Sequence, residues 1–342
     1  MDTVDTAAGP VPRVLSTLRF SDHLGAIKAR WGIGRMNFTV VPGLYALGSP
    51  DQHSSVFVTA NYKMSFDQLR HDLHDRNAWI LVLDTKGINV WCAAGKGTFG
   101  NSEMAEKIQA SGLSKIISHR DLILPQLSAP GICAHSLKKH TGFNIIFGPV
   151  RSSDIPAFIE SGCKATAKMR IKDFPVRERA ALIPVELVSA IKWMFLILLA
   201  VFIMGGLLGP GPFLTAAVHH FFFPVLMLCG GLIAGTVITP LLLPWLPGRA
   251  FSIKGFFAAI IMFVPVYLLY QCAAHPLPKY PEVIALFLLS SALAVFLAMN
   301  FTGASTYTSL SGVRKEMKWS VPVQIITALT GLILWVASVY AL

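Results

Sequence analysis

The hydropathy of the chain divides it into two unlike parts, and this division constrains the fold more than any other feature. Of its 342 residues, 54% are hydrophobic, and the excess lies almost entirely after Lys192. Five apolar runs there are long enough to cross the ~30 Å hydrocarbon core of a bilayer. They cover residues 191–209, 214–240, 253–273, 281–301 and 322–341. The sequence therefore predicts a soluble domain (1–175), a basic juxtamembrane linker (176–190) and an all-α transmembrane domain of about five helices (191–342).

The charges between the apolar runs predict the orientation of the chain. Cations gather in alternate connections, at Arg249 and Lys254 and again at residues 314–318, whereas residues 274–281 contain only Lys279. Under the positive-inside rule, the soluble domain faces the cytoplasm and the carboxyl terminus lies outside the inner membrane. Residues 1–12 contain no apolar segment typical of a signal peptide, which agrees with that orientation.

The net charge of +11 has a similar interpretation. Many of the cations precede the first apolar run, at Lys164, Lys168, Arg170, Lys172, Arg177, Arg179 and Lys192. Cations in that position favour contact with anionic lipid headgroups of the bilayer, and no nucleic-acid partner is expected.

The apolar half predicts an anchor or docking platform more than a transporter. Few ionisable residues lie at membrane depth, where a transporter or proton pump usually needs them. The second run contains Pro224 and Pro240, which are expected to bend or break it. Gly231 and Gly235 form a small-xxx-small pair that would allow two helices to approach closely. Transport remains the less favoured alternative.

The soluble half alternates strand and helix patterns. Predicted strands are 43–47, 56–59, 79–84, 122–124 and 144–147, and predicted helices are 66–76, 101–111, 131–139 and 155–161, the second capped by Asn101 or Ser102. Repeated β-α units of this length indicate an α/β fold with a Rossmann-like, mostly parallel sheet. Ligands of such sheets bind beyond the carboxyl ends of the strands. The segments 59–62, 85–99 and 125–131 follow three strand ends, and we expect them to build the site.

One of these segments places a cysteine in a very short helix. Asn89 is a good N-cap, and Gly95 is expected to end the helix in the left-handed conformation. Cys92 would then occupy the third helical position, where the helix dipole and the cation of Lys96 favour a thiolate. Small residues at positions 93 and 94 are expected to let a flat partner approach. The pattern indicates a metal ligand or a nucleophile, with a partly buried free cysteine as the alternative.

Two other patterns are weaker. Gly95, Gly97 and Gly100 match the spacing of the dinucleotide fingerprint, but that fingerprint should leave a strand directly and open a helix. His71 and His74 have metal-like spacing, although an exposed helix face is the more probable explanation. The five cysteines contain no C-x-x-C pair, which argues against disulfides and against a four-cysteine iron–sulfur cluster. Electrons, where needed, would come from another protein.

The segment 89–96, with the sequence N-V-W-C-A-A-G-K, resembles the signature of the HgcA family, the corrinoid proteins of mercury methylation. The resemblance covers the whole chain, a corrinoid domain followed by membrane spans. Residues 59–62, 124–127 and 148–150 are also similar to the corrinoid domain of the corrinoid iron–sulfur protein large subunit. The cofactor-binding residues predicted on this basis are Thr59, Asn61, Tyr62, Asn89, Val90, Trp91, Cys92, Ala93, Ala94, Gly95, Lys96, Gly97, Leu124, Pro125, Gln126, Leu127 and Gly131.

The resemblance implies a corrinoid-dependent methyltransferase that transfers a methyl group from cobalt to Hg(II), giving methylmercury. It implies a cobalamin-type corrinoid in the base-off form, with the Cys92 thiolate as the lower axial ligand of cobalt. Implied partners are a ferredoxin-like protein with two [4Fe-4S] clusters (HgcB) and a methyltransferase that supplies the methyl group. We further expect Asn89 to hold the helix start, Trp91 to pack against or shield the macrocycle and Lys96 to support the thiolate.

Two other functions remain open at this point. The chain would equally suit a membrane-anchored corrinoid methyl carrier of one-carbon metabolism in the acetyl-CoA pathway, without mercury as the substrate. A membrane receptor or scaffold with an α/β sensor domain is the non-enzymatic alternative. The composition does not separate these three functions, because mercury as a substrate leaves no mark on it.

Overall fold

A computed structural model describes residues 2–273, 277–305, 307 and 309–340. Three terminal residues of the predictions lie outside the described residues. They are residue 1 of the predicted soluble domain, residue 341 of the last predicted span and residue 342 of the predicted transmembrane domain. The same holds for residues 274–276 of the predicted connection 274–281. The chain separates into two compact units, residues 1–172 and 173–342. Each unit is described by itself.

In the described part of the first unit there are seven strands and seven α-helices. The strands are β1 (Thr3–Thr6), β2 (Gly9–Val14), β3 (Gly43–Leu47), β4 (Val56–Ala60), β5 (Ala78–Leu83), β6 (Asp121–Leu124) and β7 (Asn144–Phe147). The helices are α1 (Phe20–Arg30), α2 (Lys63–Asp72), α3 (Val90–Lys96), α4 (Asn101–Ala110), α5 (Leu113–Ile116), α6 (Ala134–Thr141) and α7 (Ile155–Glu160). Short 3₁₀ helices cover Arg35–Asn37, Gln126–Gly131, Ser152–Asp154 and Lys168–Arg170.

All seven strands join one sheet in the order β1-β2-β3-β5-β4-β6-β7. Strand β4 pairs in parallel with both β5 and β6, and β6 pairs in parallel with β7. Strand β3 runs antiparallel to β5, and the β1–β2 pair is also antiparallel. The prediction of an α/β fold with a mostly parallel sheet is thus confirmed. Strand β4 lies between β5 and β6, so the chain passes from β4 to β5 on one side and then crosses to β6 on the other side. Such a reversal of direction creates a crevice beyond the carboxyl ends of these strands.

The sheet is covered on both faces, because alternate residues of its central strands enter different cores. Trp79, Leu81 and Leu83 of β5 pack in one core with residues of α3, α4 and α6. Ile80 and Val82 pack in the other core, with residues of α2 and α7. A continuous apolar run in β5 is what a strand covered on both faces requires.

Several predicted helix limits in this unit were wrong. Helix α2 begins three residues before the predicted residue 66 and ends at Asp72, and the predicted helix 131–139 is instead α6, which begins at Ala134. Helix α4 begins at Asn101, but neither Asn101 nor Ser102 caps it. The Asn101 side chain bonds the backbone of Cys133 instead, accepting from its N–H and donating to its carbonyl at 3.0 Å each. A side chain used for this long-range pair is not available as a cap.

The second unit is helical. Its α-helices are α8 (Val176–Ala180), α9 (Ile183–Leu208), α10 (Phe213–His219), α11 (Phe222–Ile233), α12 (Thr239–Leu242), α13 (Phe251–Ala273), α14 (Tyr280–Asn300) and α15 (Leu310–Tyr340). A π-helical turn, Ala234–Ile238, joins α11 to α12, and a 3₁₀ turn follows α14. Within the described residues, five helices are long and apolar enough to cross a membrane, which confirms a predicted helical domain of about five spans.

The second and fifth predicted spans differ from the observed helices. Residues 214–219 lie in the separate short helix α10, so the second long segment begins at Phe222. Pro240 does not end this segment, which continues through the π-turn to Leu242. Helix α15 begins at Leu310, well before predicted residue 322, and Pro322 lies inside it. The predicted linker 176–190 is largely helical, in α8 and the beginning of α9.

The predicted close approach at Gly231 and Gly235 is present. A Cβ atom on Gly231 would lie 2.6 Å from the carbonyl oxygen of Ser290, and one on Gly235 would lie 2.8 Å from that of Ala294. Both carbonyls belong to α14. The pair of glycines therefore lets α11 and its π-turn pack against the backbone of α14.

Candidate functional site

Asn61 links the segments that follow β4 and β5. Its side chain is buried, and its Oδ1 accepts from the backbone N–H groups of Thr85 and Gly87, both at 3.1 Å. The Thr85 hydroxyl lies 2.8 Å from the same oxygen. Asn61 Nδ2 donates to Asp84 Oδ1 at 3.2 Å. These bonds fix the loop 84–88, which leads directly into α3.

The same loop is held from outside by the segment before β3. Gly87 has a φ of 72°, and a Cβ there would lie 2.7 Å from the carbonyl oxygen of Met36. The backbone N–H of Val40 donates to the carbonyl of Asn61 at 2.9 Å. Only glycine fits so close a contact with a left-handed backbone. Sequence analysis did not find this contribution of residues 36–40, since nothing local in their sequence indicates it.

Helix α3 begins as predicted and ends later. The Asn89 side-chain oxygen accepts from the N–H of Cys92 at 2.9 Å, so Asn89 is the N-cap and Cys92 is the third helical residue. The expectation that Gly95 ends the helix was wrong. Gly97 adopts the left-handed conformation, with φ of 80°, and the helix includes Gly95 and Lys96. The helix therefore continues for just over one turn beyond Cys92.

The two faces of α3 have different surroundings. Val90, Ala93 and Ala94 face the core, with exposures of 8%, 0% and 5%, so Ala93 and Ala94 do not form the open surface expected for a flat partner. Cys92 is half-buried and Gly95 is exposed, and residues three apart lie on one helical face. A Cβ built on Gly95 would have no protein atom within 4 Å. The open space on this helix therefore lies over Gly95, next to the sulfur.

The third predicted segment packs against α3. A Cβ on Gly131 would lie 2.3 Å from the carbonyl oxygen of Phe99 and 3.0 Å from Ala94 Cα. The 3₁₀ helix Gln126–Gly131 thus approaches the α3 backbone as closely as glycine permits. Gln126 Oε1 accepts from Arg170 Nη1 at 2.8 Å, which connects this segment to residues after α7. All three predicted loops are brought together beyond the carboxyl ends of β4, β5 and β6.

The predicted site residues divide into a buried group and an accessible group. The buried ones, which act through packing or hydrogen bonding inside the unit, are Thr59, Asn61, Tyr62, Val90, Ala93, Ala94 and Leu124. Partly or fully exposed are Asn89, Trp91, Cys92, Gly95, Lys96, Gly97, Pro125, Gln126, Leu127 and Gly131. The second group alone offers surface to a ligand.

The charges near the loop are mostly paired. The Lys86 ammonium lies 2.5 Å from Asp84 Oδ2 and holds the pKa of Asp84 below its usual value. The backbone N–H of Asp84 donates to Glu103 at 2.7 Å. Lys96, in contrast, forms no ion pair with any residue that the structure describes. Its cation is therefore available at the open end of α3.

No group of three or more His, Cys, Asp or Glu side chains among the described residues is arranged to hold a metal ion. His71 and His74 lie near the exposed end of α2, with their ring centroids 6.3 Å apart. The donor that the site itself offers is the single sulfur of Cys92. A metal bound there would need its other ligands from a cofactor.

Comparison with known proteins gives a match over this unit. Residues 32–159 match the family model described as CO dehydrogenase/acetyl-CoA synthase delta subunit. The matched region contains β3 to β7 and all three loops of the site.

Individual relatives agree with the family match. The chain is similar to the gamma subunit of the acetyl-CoA decarbonylase/synthase complex of Methanopyrus kandleri, with 32% identity over 123 residues. That alignment covers 35% of this chain and 26% of the relative. For gamma subunit 1 of Methanosarcina thermophila the identity is 31% over 130 residues, which cover 37% of this chain and 27% of the relative. The match thus spans about a quarter of the length of these relatives.

Proposed function

We propose that the first unit binds a corrinoid at the face of α3 that carries Cys92, and that the chain is a membrane-anchored carrier of methyl groups. The observation that carries this proposal is the arrangement of α3. A capped helix presents one accessible sulfur beside an open glycine, at the ligand-binding edge of a sheet that is similar to subunits of acetyl-CoA decarbonylase/synthase complexes. Five helices able to span a membrane supply the anchor.

The residues fit the group. A thiolate is a soft, strong ligand for a transition metal, and Cys92 is half-buried with an accessible side. A flat macrocycle needs a neighbouring surface without side-chain atoms, and Gly95 offers that surface three residues away. The site contributes a single metal ligand, which suits a metal whose equatorial ligands belong to the cofactor.

A bound corrinoid would supply a cobalt ion that accepts and releases a methyl group. The residues of this chain would position it. Asn89 fixes the start of α3 and so the direction of the Cys92 side chain. Lys96 places a cation, unpaired among the described residues, about one turn after Cys92, at the open end of the helix. Trp91 is half-buried on the same short helix and would cover part of the macrocycle.

The comparisons favour one-carbon metabolism as the destination of the methyl group, with this chain as its carrier. The relatives that match are subunits of a complex named for acetyl-CoA decarbonylase and synthase activity. By analogy, this chain would receive the methyl group from a separate methyltransferase and pass it to a partner. Cys92 would be the residue of this chain that holds the cobalt, so the proposal includes the base-off form of the cofactor.

A second candidate, transfer to Hg(II), is favoured by the segment 89–96, which resembles the HgcA signature. A corrinoid held by Cys92 would supply a methyl group that can leave with its bonding electrons, and Hg(II) is a soft electrophile that would accept it. For this candidate we propose a ferredoxin-like partner of the HgcB type with two [4Fe-4S] clusters as the electron donor, because the five cysteines of the sequence contain no C-x-x-C pair. With either candidate, we propose from the charges between the spans that the first unit faces the cytoplasm and that the carboxyl terminus lies outside.

The cofactor proposal is tested by titrating the full chain with cobalamin in detergent and recording absorption spectra. We expect Cys92→Ala to lose the spectral change that accompanies sulfur ligation, while Cys133→Ala, which alters another cysteine of the same unit, retains it. Equal spectra for the wild type and Cys92→Ala would remove the assignment.

The destination is tested separately, with the chain loaded with methylcobalamin and no added reductant. Methylmercury formed from added Hg(II) in the wild type but not in Cys92→Ala supports the second candidate. Methyl transfer only to an acetyl-CoA synthase partner supports the carrier.

A further inference from the structure

A cavity in the second unit, wide open to solvent, lies where two of the long helices begin. It has a volume of about 480 Å³, which is in the range of sites for small ligands. It is reached from the segment before α13 and from the first turns of α15. Its polar and aromatic lining comprises Arg249, Tyr307, Ser309, Lys315, Glu316 and Trp319.

The cavity carries a positive charge that its own carboxylate does not cancel. Arg249 and Lys315 both line it, and neither forms an ion pair with any described residue. Glu316 is 8% exposed, and its Oε1 accepts from the backbone N–H of Ser252 at 2.6 Å. That carboxylate therefore stabilises the amino-terminal end of α13. The lining therefore has a net charge of about +1. Its two cations, Arg249 and Lys315, carry several N–H groups each and are suited to binding phosphate.

The aromatic residues of the lining place the cavity at the surface of a bilayer. Tyr307 and Trp319 are 55% and 45% exposed. These two residue types concentrate at the level of lipid headgroups, because their rings combine an apolar body with a polar group. Helices α13 and α15 are both long enough to span the membrane from this level.

We propose that this cavity binds the phosphate-bearing headgroup of an anionic phospholipid. Arg249 donates two N–H groups to one phosphate, Lys315 supplies a second cation, and Tyr307 and Trp319 pack against the glycerol and the first acyl carbons. The lipid then joins the loop before α13 to the start of α15. A basic recess between membrane helices is a known means of selecting anionic lipids.

The test uses the full chain in detergent after removal of bound lipid. Native mass spectrometry measures the retention of phosphatidylglycerol, of phosphatidylcholine with the same acyl chains, and of inorganic phosphate. We expect phosphatidylglycerol to be retained at least tenfold better than phosphatidylcholine. Equal retention of the two lipids would overturn the proposal, and so would displacement of phosphatidylglycerol by millimolar phosphate, which would indicate a site for free phosphate.

Matched variants locate the site. Arg249→Gln with Lys315→Gln should reduce the retention of phosphatidylglycerol at least tenfold. Arg314→Gln with Lys318→Gln removes the same charge from the same region outside the cavity lining, and should retain wild-type binding. Because a double variant can fail to fold, Arg249→Lys with Lys315→Arg, which keeps both charges, serves as a second test and should retain more phosphatidylglycerol than the glutamine pair. Equal losses in the cavity and control variants would contradict the site.

Discussion

The two glycines near Cys92 allow the proposed cofactor face to be tested apart from stability. In Gly95→Ala, the new methyl group meets no protein atom within 4 Å. Alanine also replaces glycine inside a helix, which should leave the free energy of unfolding unchanged or raise it by up to about 1 kcal/mol. The same methyl group would stand on the face where the macrocycle is proposed to lie. A methyl forced into such a contact costs about 1–3 kcal/mol, which corresponds to a loss of about 5-fold to 150-fold in corrinoid affinity.

Gly131→Ala should behave differently. Its Cβ would lie 2.3 Å from the Phe99 carbonyl oxygen and 3.0 Å from Ala94 Cα. Both neighbours are backbone atoms, so the 3₁₀ helix must move by about 1 Å away from Phe99, and by less from α3, to reach ordinary contact. We expect a loss of about 1–3 kcal/mol in the free energy of unfolding, together with weaker corrinoid binding, because α3 moves.

Thermal unfolding and isothermal titration with cobalamin, on the full chain in detergent, separate the two effects. The account expects Gly95→Ala to keep its unfolding midpoint and lose affinity, and Gly131→Ala to lose both. Wild-type affinity in Gly95→Ala would refute the proposed position of the macrocycle. A lowered midpoint in that variant would refute the open surface over Gly95.

Three further predictions concern the residues that hold the site. Asn89→Ala removes the cap of α3 and should destabilise it by about 1 kcal/mol, seen as faster hydrogen exchange at residues 90–96 with unchanged exchange in β5. Asn61→Asp places a second carboxylate about 3 Å from Asp84. The thermal unfolding midpoint of this variant should fall at neutral pH, because the two negative charges repel each other. It should recover as the pH is lowered toward 5 and one carboxylate is protonated, whereas the wild type should show no such recovery. Burial alone would raise the pKa of Asp22, but hydrogen bonds from Lys63, the Arg19 amide and Arg70 outweigh it and lower the pKa from 3.8 to about 2. The contribution of Asp22 to the free energy of unfolding is therefore complete above about pH 4 and is lost as the pH falls toward 2. Cleavage of residues 15–30 by pepsin should become faster as the pH is lowered over that interval in the wild type, but not in Asp22→Asn.

The sequence predicted the parts of the fold that depend on local pattern. Strands β3 to β7 appear within one or two residues of their predicted positions, since apolar runs and flanking turns mark them. Strands β1 and β2 and helix α1 were not predicted. Pro10 and Pro12 lie within β2 and argue against a strand by local rules, and its position beside β3 is a long-range property of the sheet.

The site was predicted in its location and less well in its details. The position of Cys92 and the role of Asn89 follow from capping rules that act over three residues. Which of two glycines ends α3 depends on competing caps, and Gly97 takes that role rather than Gly95. The helix phase that turns Ala93 inward, and the bonds from Asn61 to the loop before α3, depend on strands that meet only in the folded unit.

The central claim is that the sulfur of Cys92 binds the cobalt of a corrinoid. X-ray absorption at the cobalt edge of the full chain loaded with cobalamin tests it most directly, because sulfur and nitrogen neighbours of the metal scatter differently. The account predicts a sulfur neighbour in the wild type and in Cys133→Ala, and its loss in Cys92→Ala. A cobalt environment without sulfur in the wild type, or one that is the same in Cys92→Ala, would contradict the claim.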